Sequence, residues 1–229
     1  MTDQDWEQFA RDNPLYYIRT DYRGSEDEFW GSGRRDAEHI LASVRKLVHT
    51  WDRVVEIGCG FGRILVPMAS YYRQCVGVDI SDCMLAGLRE SAEGFGVADR
   101  VDPCHAESDW DKAKADLVYS LIVFQHIEDL RVIEQYVARI AGCIEGRGVA
   151  YLQFDTRPAT LAYRLRNSLP DFLLPRSWRR GIRRIRRSRA DLARLFGKHG
   201  LSVVREEGAD TEYHVFILRT KAEGVEIPG

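Results

Sequence analysis

The segment Val54-Val55-Glu56-Ile57-Gly58-Cys59-Gly60-Phe61-Gly62 constrains this chain more than any other. A short apolar run reads as a buried strand. Three glycines at alternate positions follow, and then a stretch over 64–72 that reads as a helix. Without Cβ atoms the backbone can turn tightly and approach a ligand closely. The first turn of the next helix offers unpaired N–H groups and a partial positive charge. A strand–loop–helix unit of this kind belongs in a parallel α/β sheet.

The rest of the chain repeats the alternation. Ile40, Leu41, Val44, Leu47 and Val48 form one stripe, which predicts a helix over 36–49. Strands are expected at 75–78, 101–105, 116–122 and 148–154. Ser81 can cap a helix over 82–93, and Leu130, Ile133, Val137 and Ile140 mark another helix face. Pro67 should kink the helix after the glycines or end it early. Ser188-Arg189-Ala190-Asp191 predicts a capping box opening a helix with Leu192, Leu195 and Phe196, and Gly200 sits where its C-terminal cap belongs. The runs 201–204 and 213–218 are close enough to form an antiparallel hairpin. Residues 1–35, rich in aromatics and punctuated by glycine, read as a cap or lid, and 36–229 as one domain with a basic insertion at 156–187.

Composition removes several classes. Five cysteines with no Cys-x-x-Cys pair argue against a disulfide framework or a structural zinc, and fit a reducing cytoplasm. No window approaches 18 consecutive apolar residues, so no membrane-spanning helix is expected. The acidic, polar start of the chain argues against a secretory signal. The net charge of −2 hides an asymmetry: residues 156–190 hold eleven arginines against one acid, Asp171. Such a split points to a partner rather than to a fold.

Asp79 ends the second strand, 21 positions after Gly58. A carboxylate there can accept from both hydroxyls of a ribose. The dinucleotide fingerprint is Gly-x-Gly-x-x-Gly. Here the spacing is Gly-x-Gly-x-Gly, and Arg63 stands where the third fingerprint glycine would be. That departure counts against a nicotinamide cofactor, as does the C-terminal strand pair.

Glu56-x-Gly58-x-Gly60-x-Gly62, then Gly77-Val78-Asp79-Ile80-Ser81, then 115–120 with Gln125-His126-Ile127, resemble the first, second and fourth motifs of class I S-adenosylmethionine-dependent methyltransferases. The resemblance covers roughly 36–155 and resumes at 188–220. It implies a doubly wound, mostly parallel seven-stranded sheet of order 3-2-1-4-5-7-6 with the last strand antiparallel. It implies S-adenosylmethionine as cofactor and S-adenosylhomocysteine as product. Glu56, Gly58, Cys59, Gly60 and Gly62 would lie against the methionine and sugar portion, Asp79 would hold the ribose, and Ile80 would cover the adenine. Met84, Ala106, Glu107, Ser120, Leu121 and Gln125 would complete the cofactor site. In that order the third strand is an edge, where Pro103, which cannot donate to a ladder, is acceptable. Alternatives on related folds are a non-catalytic nucleoside- or RNA-binding module and an NAD(P)-dependent oxidoreductase.

The acceptor is less legible. Ser120-Leu121-Ile122-Val123 is not the Asn/Asp-Pro-Pro-Tyr/Phe segment of amino-methylating nucleic-acid enzymes, so nucleic acid is not the expected substrate. Ser120 also replaces a metal-binding carboxylate of catechol-type enzymes, so no metal is expected. A small-molecule, glycan or lipid-linked acceptor is expected. His126 is the candidate general base, with helix-start packing as its competing role; Tyr16, Tyr17, Asp155 and Arg157 are candidate substrate contacts. The arginine-rich insertion has three competing readings: a solvated face paired to the acidic remainder, recognition of an anionic acceptor, or peripheral contact with an anionic membrane.

Overall fold

The computed structural model describes residues 25–144, 146, 148–170 and 184–221. Tyr16, Tyr17 and most of the expected cap lie outside the described residues, as do 171–183 of the insertion.

Seven strands form one sheet: β1 (Arg53–Ile57), β2 (Gln74–Asp79), β3 (Val101–His105), β4 (Leu117–Ser120), β5 (Val149–Phe154), β6 (Leu201–Glu207) and β7 (His214–Thr220). Their order is β3-β2-β1-β4-β5-β7-β6. β1 pairs in parallel with β2 and β4, while β7 runs antiparallel to both β5 and β6. The expected architecture is therefore the observed one. Pro103 lies on β3, which pairs only with β2 at the sheet edge, so its missing N–H breaks no ladder.

Every residue of β1, β4 and β5 is buried, as both faces of a parallel sheet require. Alternate residues feed two cores. Val54, Cys75, Leu117 and Tyr119 face one side, under helices α1 (Glu26–Val44), α2 (Leu65–Met68) and α3 (Asp82–Gly94). Val55, Val76, Val118 and Ala150 face the other, under α4 (Leu130–Cys143) and α6 (Arg189–Lys198). Between β5 and α6 lies α5 (Leu161–Ser168).

Two local expectations need correction, and a third holds. The first helix begins at Glu26, ten residues before the expected start at 36, and ends at Val44 rather than 49. The Ser25 hydroxyl accepts from Glu28 N, and Glu26, Asp27 and Glu28 complement the helix dipole in the first turn. Phe29, Ser32 and Gly33 are buried, so this stretch is part of the packed body. The helix after the glycine loop shrinks to four residues around Pro67, the early end that proline predicts. Ser188 stands at the N-cap of α6 but makes no side-chain capping bond; Asp191 pairs with Arg194 instead.

The seating of α1 is tight. A Cβ on Gly33 would lie 1.9 Å from the Arg63 carbonyl oxygen. An exposed helical Gly→Ala change usually stabilises by about 1 kcal/mol. Here overpacking against backbone should cost about 1–3 kcal/mol and reverse the sign. Gly33→Ala is expected to lower the melting temperature; a rise would show that α1 is not seated on the glycine loop.

Candidate active site

The site forms where the chain leaves the carboxyl ends of β1, β2 and β4. Gly58, Gly60 and Gly62 all have positive φ, at 75°, 51° and 82°. Gly58 N and Cys59 N both donate to Val78 O, which stitches the loop to β2. Gly60 N donates to Asp79 Oδ2 at 2.9 Å, and Ser81 N to Oδ1 at 3.1 Å. The Ser81 hydroxyl in turn caps α3 through Met84 N. Burial raises the Asp79 pKa, and the amides of Gly60 and Ser81 partly oppose that.

The glycines serve the protein as much as any ligand. A Cβ on Gly58 would lie 2.2 Å from Val123 Cγ2, and one on Gly62 would lie 2.3 Å from Leu88 Cδ1. The missing side chains admit the loop after β4 on one side and α3 on the other.

Glu56 is buried beneath the loop and accepts from the Tyr119 hydroxyl at 3.0 Å. Burial pushes its pKa up to about 8, against the pull of the Tyr119 hydrogen bond and the Arg63 charge. Arg63, which sequence reasoning treated only as a departure from the dinucleotide pattern, is buried and donates to Ser32 Oγ at 3.0 Å and Asp36 Oδ2 at 2.6 Å. It ties α1 to the site.

After β4 the chain bends sharply. Ile122 has φ 61°, an unfavourable conformation for a β-branched residue. A short 3₁₀ turn, Phe124–His126, follows. Gln153 Nε2 donates to Gln125 Oε1 at 3.2 Å, and the Gln125 amide then meets His126 Nε2 at 3.3 Å. In that arrangement His126 Nε2 accepts, so the neutral ring carries its proton on Nδ1.

These elements enclose a cavity of about 510 Å³, within the usual range for small-ligand sites. Of the residues expected from the sequence, Glu56, Gly58, Cys59, Gly60, Asp79, Ile80, Met84, Leu121 and His126 line it. The sequence reading did not single out Arg63, Ile122, Val123, Glu128, Asp129 and Tyr136, which also do. The φ of Ile122 and the packing of Val123 on Gly58 help bring that loop into the wall, and no local pattern signals either.

Other expected residues stand outside the lining. The Ser120 hydroxyl donates to Ile57 O. Ala106 N donates to Asp79 O, and its carbonyl is taken by Trp110 and Arg139. Glu107 is exposed. Gln125 acts through His126. Asp155 is fully buried against Arg157, which also pairs with Glu212 at 2.9 Å. His105 donates to Ile80 O and so braces that residue, given that Glu107 N occupies its other nitrogen. His214 is fully buried between Thr156 and Glu206, and burial lowers its pKa, as suits a structural ring.

The donor set fits a nucleoside carrying positive charge. Two acceptor positions of Asp79 are taken by amides, and a carboxylate has about four. Glu56 is a buried carboxyl whose ionisation a cation would favour. Ile80 and Met84 supply apolar surface on the same wall.

Residues 55–152 match the family model of the methyltransferase domain. No curated protein matches the sequence. Among solved structures, a magnesium protoporphyrin IX methyltransferase from Synechocystis PCC 6803 superposes with a TM-score of 0.61 at 19% identity, covering 95% of this chain and 98% of that one. An S-adenosylmethionine-dependent methyltransferase from Clostridium acetobutylicum ATCC 824 gives 0.65 at 14% identity, covering 95% and 100%. A glycopeptide N-methyltransferase complexed with sinefungin gives 0.59 at 15%, covering 83% and 87%. At these identities the superpositions speak for the fold. The family match over 55–152 and the sheet order agree: that part of the chain matches a methyltransferase domain and lies on the class I methyltransferase sheet topology.

The raised Glu56 pKa has a sign that can be measured. The folded chain binds this proton more tightly than the unfolded chain, whose carboxyl titrates near 4.5. Its contribution to stability is therefore greatest below that value and is lost as the pH rises toward about 8. Glu56→Gln should flatten that part of the pH–stability curve in chemical denaturation; an unchanged slope would mean Glu56 is ionised throughout.

Proposed function

We propose that the cavity holds S-adenosylmethionine through Glu56, the loop 58–60, Asp79 and Ile80, and delivers its methyl group to a small-molecule, glycan or lipid-linked acceptor. The observation that carries this is the Asp79 carboxylate, held by Gly60 and Ser81 in the wall of a pocket that a second buried acid, Glu56, also lines. The cofactor supplies an electrophilic methyl group; the protein supplies orientation and charge placement. Asp79 accepts from ribose hydroxyls. Glu56 gives up its proton as the cationic ligand arrives. The domain takes in all of α1, from Glu26 rather than from 36. The enzyme works in the cytoplasm, which five cysteines without a Cys-x-x-Cys pair fit. No helix among the described residues is long and apolar enough to cross a membrane.

The small-molecule acceptor is supported by the fold neighbours, one of them named for a porphyrin and one for a glycopeptide. The described arginines of the insertion support an internal role for part of it. Arg157 and Arg184 meet Glu212, Arg189 meets Glu206, and Arg186 lies over the Tyr163 ring.

Calorimetry with S-adenosylhomocysteine and with NADH tests the cofactor. Wild type should bind the former, and Asp79→Ala should weaken it by about 1–3 kcal/mol through lost charge-assisted bonds. Tight binding of NADH alone would overturn the reading.

His126 stands as the candidate base for a hydroxyl acceptor, which must displace the Gln125 amide from Nε2. Once mass spectrometry of co-purified ligand identifies the acceptor, His126→Asn should lower kcat by about 10²–10⁴. Full activity in that variant would remove His126 from the chemistry and favour an amine that needs no base.

A further inference from the structure

The chain after β4 is strained and is held in place from outside. Ile122, at φ 61°, occupies a region that costs on the order of 1–3 kcal/mol and persists only where the surroundings over-determine it. The residues that follow, His126 to Asp129, form one wall of the cavity. Their own backbone bonds are local: His126 N to Val123 O at 2.8 Å and Ile127 N to Phe124 O at 3.4 Å.

The carbonyls of this wall are taken by the far end of the basic insertion. Ile185 N donates to Gln125 O at 2.7 Å. Arg187 Nη2 donates to Ile127 O at 2.7 Å and to Glu128 O at 3.0 Å. The segment 185–187 is itself anchored to the sheet. Arg187 N donates to Asp155 O at 2.8 Å, just past β5, and Asp155 and Arg186 form a parallel bridge. On its outer side Arg186 N donates to the Tyr163 hydroxyl at 3.0 Å, and Arg186 Nη1 to Pro158 O at 2.7 Å. The insertion thus returns to the domain as a strap laid across the end of β5 and the wall after β4.

We infer that Arg187 is a positioning residue for methyl transfer: by holding the Ile127 and Glu128 carbonyls it keeps the strained loop after β4 in the shape that closes the cavity. The inference rests on the methyltransferase reading of that cavity. Arg187 touches neither cofactor nor acceptor in this role; it acts through 126–129. Both bonds leave one nitrogen, Nη2, whose two N–H groups are fixed in the guanidinium plane, whereas a lysine ammonium presents its donors from a freely rotating head on a flexible stem.

The test compares wild type, Arg187→Ala and Arg187→Lys by amide hydrogen exchange, S-adenosylhomocysteine calorimetry and thermal denaturation. In Arg187→Ala, exchange at 123–129 should rise about tenfold or more, the factor expected from losing charge-assisted bonds. Exchange in β1 and β2 should stay unchanged, and ligand affinity should fall. Bound ligand should restore part of the protection, and Arg187→Lys should lie between the two. A rise spread evenly over the sheet would make Arg187 a general stability contact and overturn the inference. So would unchanged exchange at 123–129. Should Arg187→Ala not fold, the lysine variant alone decides: a selective rise at 123–129 supports the inference, and wild-type exchange there overturns it. Wild-type protein that takes up no S-adenosylhomocysteine would instead overturn the reading on which the inference rests.

Discussion

The carboxylate of Asp79 joins two loops that would otherwise be independent. One oxygen accepts from Gly60 in the turn after β1, and the other from Ser81 at the start of α3. The shape of the cavity floor follows from that bridge. It fixes the glycine loop against β2, sets the cap of α3 through Ser81 and Met84, and leaves Ile80 facing the cavity, where His105 braces its carbonyl. Burying this carboxylate is unfavourable, and the two amides offset part of the cost. A ligand with hydroxyls to donate offsets more.

The second acid deepens the same logic. Glu56 lies under the loop with Tyr119 as its hydrogen-bond donor, and Arg63 nearby is already engaged by Ser32 and Asp36. Burial is what raises the pKa of this carboxyl, against the pull of the Tyr119 hydrogen bond and the Arg63 charge. A positive charge brought close to it would favour its ionisation. The glycines above it have a double purpose. Their backbone freedom shapes the turn, and the space their missing Cβ atoms leave is filled by Val123 and Leu88.

The basic insertion changes character once its partners are visible. From composition it is a block of positive charge whose partner stays open among the domain's own acids, an anionic acceptor and a membrane surface. Among the described residues its arginines turn back on acids, carbonyls and rings of the domain, and Arg187 reaches the cavity wall itself. Pairing to the acidic remainder was one of the readings that composition left open, but charge counting could not name the partners: Glu206 and Glu212, the acids that receive Arg189 and Arg184, lie in the hairpin far along the chain.

The amino-acid order by itself determined the element sequence, the sheet class, the shortening of α2 at Pro67 and the pairing of the glycine loop with Asp79; the edge position of Pro103 followed from the strand order that the family resemblance implies. These are local matters of periodicity, φ restriction and spacing, and the chain carries them wherever it goes. The start of α1 at Glu26 was also written locally, in Ser25 and Glu28, but the aromatic and glycine content of that stretch masked it. Tertiary structure alone decided which loop closes the cavity, that Ile122 would hold a strained φ, that Gln153 would orient His126 through Gln125, and that Arg187 would reach the carbonyls of Ile127 and Glu128. Each of those depends on strands β4 and β5 lying side by side and on the insertion crossing them, a proximity that no spacing along the chain encodes.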